Sequence, residues 1–257
     1  MKLDKERFMQ IGGKVVLVTG ANGGIGSELV RQLLERGAAK VYAGARRETA
    51  RQDPRVVPLL LDVTDAADIA AVADLATDID VLINNAGASG DPSLLTSDLE
   101  NIRDTYETNL FGPLSLIRAL APTLAERGGG AVINVNSIRS WLTRAGSYAP
   151  TKTALWGLTN ALRAELADQS TQVIGAHFAY VDTAMTEGLD VPKSSPGDIA
   201  KRILDALEAD AHEVFADQLT ADMHAILPSL TTGTFATTSP FTPTATDTQA
   251  PTAENAK

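Results

Sequence analysis

Short apolar runs alternate with amphipathic segments along most of the 257-residue chain. The runs are rich in β-branched residues, the pattern of parallel strands that are covered on both faces. Between them apolar residues recur at helical spacing, as at Ile25, Leu29 and Leu33. Strands that alternate with helices predict right-handed βαβ units and a doubly wound parallel sheet. The seven predicted strands cover residues 14–19, 41–45, 56–61, 80–85, 131–136, 171–178 and 212–216.

Capping signals predict where several helices begin. Thr64 is expected to cap a helix that runs to about Thr77. Ser97 and Glu100 form an S-x-x-E capping box, which predicts a single long helix reaching about Glu126.

The chain is long enough for one large α/β domain with a full core or for two small ones, and residues 1–230 are predicted to form a single domain. From 231 to 257 the sequence is rich in Thr, Pro and Ala and shows no periodicity. Such a segment cannot bury enough apolar surface to offset its ordering entropy, so a disordered tail is predicted.

Charge and composition narrow the classes of function. The formal net charge is −10, which argues against a nucleic acid or an anionic membrane surface as partner. The chain has no cysteine, and its three histidines do not stand at metal-ligand spacing, so no metal site is predicted. No stretch approaches the ~20 apolar residues of a membrane span, and the charged first residues do not resemble a secretion signal. A cytoplasmic location is therefore expected.

A glycine-rich turn follows the first predicted strand and opens a helix. Its spacing is T-G-x-x-x-G-x-G, formed by Thr19, Gly20, Gly24 and Gly26. Such a turn lets the backbone approach a pyrophosphate, while the helix N-terminus offers free N–H groups and a partial positive charge. The context favours a dinucleotide site over a glycine turn without a ligand.

A second chemical signal lies between residues 137 and 152. Tyr148 and Lys152 are four residues apart and therefore share one helix face. A neighbouring ammonium favours the phenolate and should lower the pKa of Tyr148, which makes it a candidate proton donor or acceptor. Ser137, at the end of the preceding strand, is placed to hold the same substrate oxygen. The alternative interpretation is an aromatic residue beside a solvated lysine.

Taken in order, these motifs resemble the short-chain dehydrogenase/reductase family over about residues 13–217. The motifs are TGANGGIG from Thr19, NNAG at 84–87, NLFG with Asn109, Ser137, and Y-x-x-x-K from Tyr148. The resemblance implies a three-layer Rossmann fold with a seven-stranded sheet and helices on both faces. It also implies a nicotinamide cofactor and the interconversion of carbonyl and alcohol groups.

The resemblance also implies residue roles. Tyr148 would exchange the proton, Ser137 would bind the substrate oxygen, and Lys152 would hold the nicotinamide ribose and lower the Tyr148 pKa. Asn109 would anchor a water that relays protons to Lys152; the alternative is a polar residue that kinks its helix. The expected cofactor-binding residues are Gly20, Asn22, Gly24, Ile25, Gly26, Arg46, Asp62, Val63, Asn85, Ala86, Gly87, Tyr148, Lys152, Val181 and Thr183. Asn85 has an alternative role in capping its strand.

The end of the second strand bears on cofactor choice. An NAD enzyme places a carboxylate there for the ribose 2′-hydroxyl, whereas this chain has Ala45, Arg46 and Arg47. Guanidinium groups bind phosphate in bidentate fashion, so NADP(H) is the preferred cofactor and NAD(H) the alternative. The competing interpretation is a pair of solvated arginines. Asp62 and Val63 resemble the pair that contacts the adenine.

Several positions depart from the family pattern. Ser137 precedes Tyr148 by eleven residues where many relatives use thirteen, so Ser140 and Ser147 are lower-ranked candidates for its role. Pro150 inside Y-x-x-x-K disfavours helical geometry at the residue before it. Phe178 and Ala179 replace the Pro-Gly pair that is usual in the family. This replacement predicts a changed shape at the nicotinamide end of the cofactor site.

Trp141, Leu142 and Met185 predict an apolar pocket wall and an uncharged substrate, with a purely structural Trp141 as the alternative. The predicted function is an NADPH-dependent reductase of an aldehyde or ketone, reversible as an alcohol dehydrogenase. The alternative is a catalytically weak dinucleotide-binding regulator or scaffold. Because relatives pair the helices that here span 97–126 and 150–167, a homodimer or homotetramer is expected.

Overall fold

The computed structural model describes residues 9–47, 53–142 and 146–230. It contains one seven-stranded parallel sheet with the strand order β3-β2-β1-β4-β5-β6-β7. All seven strands predicted from the sequence are present, displaced by at most two residues at either end. The strands are β1 (Val15–Thr19), β2 (Lys40–Ala45), β3 (Val56–Leu60), β4 (Val81–Asn84), β5 (Ala131–Val135), β6 (Gln172–His177) and β7 (Glu213–Phe215).

Helices cover both faces of the sheet. They are α1 (Gly24–Glu35), α2 (Ala66–Leu75), α3 (Leu99–Tyr106), α4 (Gly112–Glu126), α5 (Tyr148–Glu165), α6 (Pro196–Glu208) and α7 (Gln218–Leu230). Apolar residues of α1 and α6 pack on one face, and those of α2, α4 and α5 pack on the other. The predicted three-layer Rossmann architecture is confirmed.

The valines and the leucine of β1 are buried on both faces of the sheet. Val16 and Val18 join the core on the α1 side, whereas Val15 and Leu17 join the core on the opposite side. Successive side chains of a strand point to opposite faces, so a strand with a helix layer on each face needs an apolar residue at every position.

The structure corrects both predicted helix caps. Asp65, not Thr64, caps α2, because its carboxylate accepts hydrogen bonds from the N–H groups of Ala67 and Asp68. Likewise Asp98, not Ser97, caps α3. In each case the true cap is the next residue along the chain, within the ordinary uncertainty of helix boundaries.

The predicted long helix is also interrupted. A π-helical turn, Glu107–Phe111, separates α3 from α4 and contains Asn109. Helix α7 was not predicted, although Asp217 directly before it is a capping residue whose carboxylate accepts from the Thr220 N–H at 2.8 Å.

The described residues up to Ala221 belong to one compact unit, which holds the whole sheet, and those from Asp222 onward belong to a second. The structure describes the second unit as far as Leu230. The predicted disordered tail, 231–257, lies outside the described residues, and the domain boundary at 230 stays a prediction. None of the described helices is long and apolar enough to cross a membrane.

Candidate active site

Two neighbouring cavities open at the carboxyl edge of the sheet, where the strand order reverses between β1 and β4. In open α/β sheets this position is the usual ligand site. The tyrosine cavity, about 510 Å³, contains Ser137, Tyr148 and Lys152. The Asp62 cavity, about 990 Å³, contains Arg46 and Asp62. Their shared wall is formed by Gly20, Gly23, Ala86 and Gly87.

The glycine turn between the cavities leaves no room for a side chain at Gly24 or Gly26. A Cβ at Gly26 would lie 2.1 Å from the carbonyl oxygen of Gly20, and one at Gly24 would lie 2.8 Å from Cγ2 of Thr183. Gly20 and Gly24 also have φ values of +65° and +51°, which favour glycine. Gly23 lines both cavities, and a Cβ there would meet open space. The turn is therefore a cradle with exposed backbone, which fits a pyrophosphate.

Asn85 fastens the end of β4 to this turn. Its side-chain amide donates to the carbonyl oxygens of Thr19 at 2.9 Å and Gly20 at 3.2 Å. The Thr19 hydroxyl in turn accepts from the backbone N–H groups of Asn85 and Ala86, each at 3.0 Å. The strand-capping role considered for Asn85 is thus present, and its contact with a cofactor stays a prediction.

Asn109 links three parts of the site through its side chain. The amide oxygen accepts from the Ala88 N–H at 2.8 Å, and the amide nitrogen donates to the Ala88 carbonyl at 2.9 Å and the Thr151 hydroxyl at 3.1 Å. Asn109 therefore holds the loop after β4 against α5. Its side chain is committed to protein partners, so the predicted water-anchoring role stays a prediction.

Lys152 is buried, with 4% of its surface exposed. Its ammonium donates to the carbonyl oxygen of Val135 at 2.7 Å and lies 5.6 Å from the ring centre of Tyr148. A Cβ at Gly87 would lie 3.9 Å from the Lys152 nitrogen, so the lysine reaches the wall shared by the two cavities. Burial disfavours the charged form and lowers the pKa of Lys152 to about 8.

The structure corrects the expected tuning of Tyr148. Burial raises the pKa of its phenol, and this outweighs a hydrogen bond from Ser137 and the positive charge of Arg139, both of which lower it. The prediction that Lys152 lowers this pKa is therefore wrong for the protein alone, because the lysine points to Val135 and is itself desolvated. A raised pKa keeps the phenol protonated at neutral pH, which suits a proton donor.

Ser137 lines the tyrosine cavity together with Tyr148, whereas neither Ser140 nor Ser147 lines it. Its hydroxyl accepts from the Arg139 N–H at 3.1 Å and lies 3.4 Å from the carbonyl oxygen of Phe178. Ser147 instead accepts from the Asp91 N–H at 2.9 Å, which is a structural role. Ser140 is buried outside the lining of either cavity. The shorter Ser–Tyr spacing thus leaves Ser137 in place.

The other departures from the family pattern are accommodated. Pro150 lies in the first turn of α5, where its missing N–H is not needed by the helix. Ala179 retains an N–H, which donates to the Asp217 carboxylate at 2.6 Å. Val181 is buried and pairs with Ser194, so this segment keeps an extended path beside the glycine turn.

Trp141 belongs to the core and is not a wall of the tyrosine cavity. Its ring stacks on that of His177, with centres 4.5 Å apart and an angle of 18° between the rings. His177 is fully buried; its Nδ1 lies 3.2 Å from the Ser137 carbonyl oxygen and its Nε2 lies 2.7 Å from a Glu213 carboxylate oxygen. Of the three predicted wall residues, Met185 lines the cavity.

Two neighbouring polar residues of the cavity wall were not predicted as site residues from the sequence. Arg139 and Tyr180 both line the tyrosine cavity, and the Arg139 guanidinium donates to the Tyr180 hydroxyl at 3.0 Å. The available signal for Arg139 was a cation two residues after Ser137.

The Asp62 cavity carries the residues expected at the adenosine end. Arg46 and Arg47 are exposed, and the Asn22 amide donates to the Arg47 carbonyl at 2.9 Å, which fixes the loop after β2. Hydrogen bonds from the Thr64 N–H and hydroxyl lower the pKa of Asp62, with a smaller contribution from the Arg46 guanidinium. Asp62 is therefore an ionised acceptor at neutral pH.

Within the described ranges, no group of three acidic, histidine or cysteine side chains is arranged to hold a metal ion. The site therefore consists of a glycine cradle, a buried lysine, a phenol and a serine at the carboxyl edge of a seven-stranded sheet. A sequence profile described as short chain dehydrogenase matches residues 14–193. The chain belongs to the short-chain dehydrogenase family.

Individual relatives agree with this assignment. An NADP-dependent 3-hydroxy acid dehydrogenase of Schizosaccharomyces pombe is 31% identical over 245 residues, covering 84% of this chain and 95% of that protein. A 3-oxoacyl-(acyl-carrier-protein) reductase of Vibrio cholerae is 34% identical over 194 residues, covering 71% of this chain and 79% of that protein. The crystal structure of a short chain dehydrogenase from Burkholderia cenocepacia in complex with NADP has 38% sequence identity and a TM-score of 0.81. The match covers 86% of this chain and 95% of that chain.

The predicted class is confirmed: this short-chain dehydrogenase is an NAD(P)-dependent oxidoreductase that acts on CH–OH and C=O groups. The motifs quoted from the sequence thus identified the correct family.

Proposed function

We propose that this short-chain dehydrogenase reduces an aldehyde or ketone with NADPH and can run in reverse as an alcohol dehydrogenase. The observation that carries the proposal is the joint presence of Ser137, Tyr148 and Lys152 around one cavity that is continuous with the glycine cradle. Three polar side chains that converge beside a dinucleotide cradle provide the groups needed to bind and protonate a carbonyl oxygen.

NADP(H) is the proposed cofactor, with NAD(H) as the weaker alternative. Arg46 and Arg47 follow β2, where a carboxylate would favour NAD, and Arg46 lines the Asp62 cavity. The Schizosaccharomyces pombe relative is named as NADP-dependent, and the Burkholderia cenocepacia structure contains NADP. Both support the choice of NADP(H).

Bound NADPH would supply the hydride. Tyr148 donates the proton to the substrate oxygen, and its raised pKa keeps that proton available at neutral pH. Ser137 donates a hydrogen bond to the same oxygen and orients it toward Tyr148. Lys152 binds the ribose hydroxyls at the shared wall, and Asn109 keeps the loop after β4 in the position that this contact requires.

The direct test is a screen of carbonyl compounds with the purified protein, following loss of NADPH absorbance, together with a separate measurement of NADPH binding by fluorescence. Turnover of at least one aldehyde or ketone is expected. Because the Schizosaccharomyces pombe relative is named for a 3-hydroxy acid, oxo acids belong in the screen beside neutral ketones. NADPH binding without any turnover would leave the alternative, a catalytically weak dinucleotide-binding regulator.

One observation favours that alternative. The raised pKa of Tyr148 weakens it as a base, so alcohol oxidation near neutral pH should be slow. Carbonyl reduction does not need the phenolate, so the reductase remains the stronger proposal.

Arg46→Ala should weaken NADPH binding about 10- to 100-fold and leave NADH binding within about threefold, because a guanidinium–phosphate hydrogen bond contributes about 1.5–3 kcal/mol. Dissociation constants for both cofactors measure this. Arg31→Ala removes an exposed guanidinium from the outer side of α1 and is the matched control. An unchanged ratio of the two constants in Arg46→Ala would remove the argument for NADP selectivity.

We also propose that the protein is a homodimer or homotetramer, paired through the helices at 97–126 and 150–167. Leu99 and Phe111 are exposed large apolar side chains on the first of these segments. Light scattering coupled to size exclusion should give at least twice the chain mass, and a monomer at micromolar concentration would contradict the proposal. The cytoplasmic location and the absence of a nucleic-acid partner stay predictions.

The structure leaves less support for the expectation of an uncharged substrate. It rested on three apolar residues, of which Met185 alone lines the tyrosine cavity.

A further inference from the structure

The tyrosine cavity is positively charged although the chain is acidic. The protein has 32 acidic residues and a formal net charge of −10. Among the described residues that line this cavity, however, the charged ones are Arg139 and Lys152, and no carboxylate is present. A cavity lined by one sign of charge concentrates ligands of the opposite sign.

The two cations are not equivalent. Lys152 is buried, is bound to the Val135 carbonyl and lies against the wall that both cavities share, on the cofactor side. Arg139 is only partly buried and belongs to a short 3-10 turn, Ile138–Ser140, directly after Ser137. Its backbone N–H donates to the Ser137 hydroxyl at 3.1 Å, and both residues line the tyrosine cavity.

The guanidinium of Arg139 has a neutral side-chain partner. It donates from Nη2 to the Tyr180 hydroxyl at 3.0 Å, and none of the ion pairs in the described part of the chain involves it. Because the Tyr180 oxygen accepts this bond, its own hydrogen is available for donation. Arg139 and Tyr180 thus form a pair of adjacent donors on the cavity wall.

Two donors of this kind match the geometry of a carboxylate, which binds guanidinium in bidentate fashion. The position relative to the chemistry is suitable, since Arg139 and Tyr180 line the same cavity as Ser137 and Tyr148. The rest of the wall includes Ile138, Met185 and Leu189, which suit a short aliphatic chain between the two polar ends of a ligand.

We infer that Arg139 and Tyr180 bind a carboxylate of the substrate, so that the enzyme acts on aliphatic oxo acids and the corresponding hydroxy acids. The inference rests on the proposed reductase function and replaces the expectation of an uncharged substrate. Arg139 and Tyr180 are specificity-determining residues in this assignment, and the proton still comes from Tyr148.

The test compares each oxo acid with its own methyl ester. 2-Oxobutanoate, acetoacetate and succinate semialdehyde place the carbonyl progressively further from the carboxylate, and esterification removes the charge with little other change. For at least one of the three, kcat/KM of the wild-type protein should be about tenfold or more higher for the acid than for the ester.

Arg139→Met should lower this acid-to-ester ratio about 10- to 100-fold. The ratio is the useful quantity, because any effect of Arg139 on Tyr148 is common to acid and ester. Arg139→Lys should keep part of the preference, since lysine supplies a point charge without the planar pair of donors. Tyr180→Phe should lower the ratio by a smaller factor. Arg202→Met, at an exposed position on α6, makes the same change in net charge and should leave the ratio within about twofold.

The outcomes separate the inference from the function on which it rests. If acids and esters are reduced equally well, or if Arg139→Met leaves the ratio unchanged, the carboxylate site is wrong while the reductase stands. If wild-type protein binds NADPH but reduces neither acids, esters nor neutral ketones, the proposed function fails and the inference fails with it. Thermal melting and NADPH binding of each variant show whether a lost preference comes from misfolding.

Discussion

Replacing Tyr148 with phenylalanine should reduce kcat for carbonyl reduction by about 10²- to 10⁴-fold, the usual contribution of a positioned proton donor. The substitution removes one hydroxyl from the tyrosine cavity and keeps the ring, so packing at the start of α5 should persist. NADPH binding should change by less than about threefold. Steady-state kinetics and fluorescence titration of the same preparation measure both quantities.

Tyr42→Phe is the matched control. It removes another tyrosine hydroxyl, one that donates to Asp78 at 2.9 Å and lines neither cavity. Its kcat should stay within about twofold of wild type, because the lost hydrogen bond affects stability rather than the site. Equal turnover by wild type and Tyr148→Phe would exclude the phenol as the proton donor.

The same phenol predicts a difference between the two reaction directions. Reduction needs the protonated phenol, which the raised pKa of Tyr148 preserves, whereas oxidation of an alcohol needs the phenolate. The oxidation rate should therefore rise with pH through the alkaline range while the reduction rate does not.

The second large effect is expected at Lys152. Lys152→Met should abolish turnover and yet increase the free energy of unfolding at pH 7 by about 1–3 kcal/mol. The pKa of Lys152 is about 8 in the folded protein and 10.5 in the reference state, a difference that corresponds to about 3 kcal/mol against folding below pH 8. The lost hydrogen bond to the Val135 carbonyl offsets part of the gain.

The two pKa values of Lys152 also determine how the free energy of unfolding changes with pH. Between about pH 8 and pH 10.5 Lys152 keeps its proton in the unfolded chain but has lost it in the folded protein. The free energy of unfolding of the wild-type protein therefore rises with pH in this range. The advantage of Lys152→Met should accordingly shrink from pH 7 to pH 10 in urea denaturation. Lys201→Met, at an exposed lysine of α6, should show no such gain. A Lys152→Met protein less stable than wild type would contradict this prediction. So would a difference in the free energy of unfolding that does not change with pH.

The sequence predicted what depends on local pattern. The strands were found because a parallel strand between two helix layers must be apolar on both faces, as β1 is. The glycine turn was found because close backbone contacts leave no alternative to glycine at Gly26. Ser137, Tyr148 and Lys152 were placed together because the ends of neighbouring parallel strands and the helices that follow them meet at one edge of the sheet.

The features that were missed depend on tertiary contacts. The π-turn at Asn109 is fixed by bonds to Ala88 and Thr151, which are distant in sequence. Trp141 was predicted as a pocket wall with a core position as the alternative, and the sequence could not decide because its stacking partner, His177, lies on β6. The Tyr148 pKa was assigned the wrong direction because helical spacing indicates proximity to Lys152 but not the burial of both groups.

One contact behind the cavity has a consequence of its own. The two ring nitrogens of His177 face a Ser137 carbonyl and a Glu213 carboxylate, and neither oxygen group can donate a hydrogen bond. Burial raises the pKa of Glu213, but His177 and Arg163 outweigh burial and lower it, so this carboxylate is ionised at neutral pH. His177 therefore ties the backbone that carries Ser137 to Glu213 of β7, the last strand of the sheet. The position of the serine thus depends on an edge-strand carboxylate that lines neither cavity.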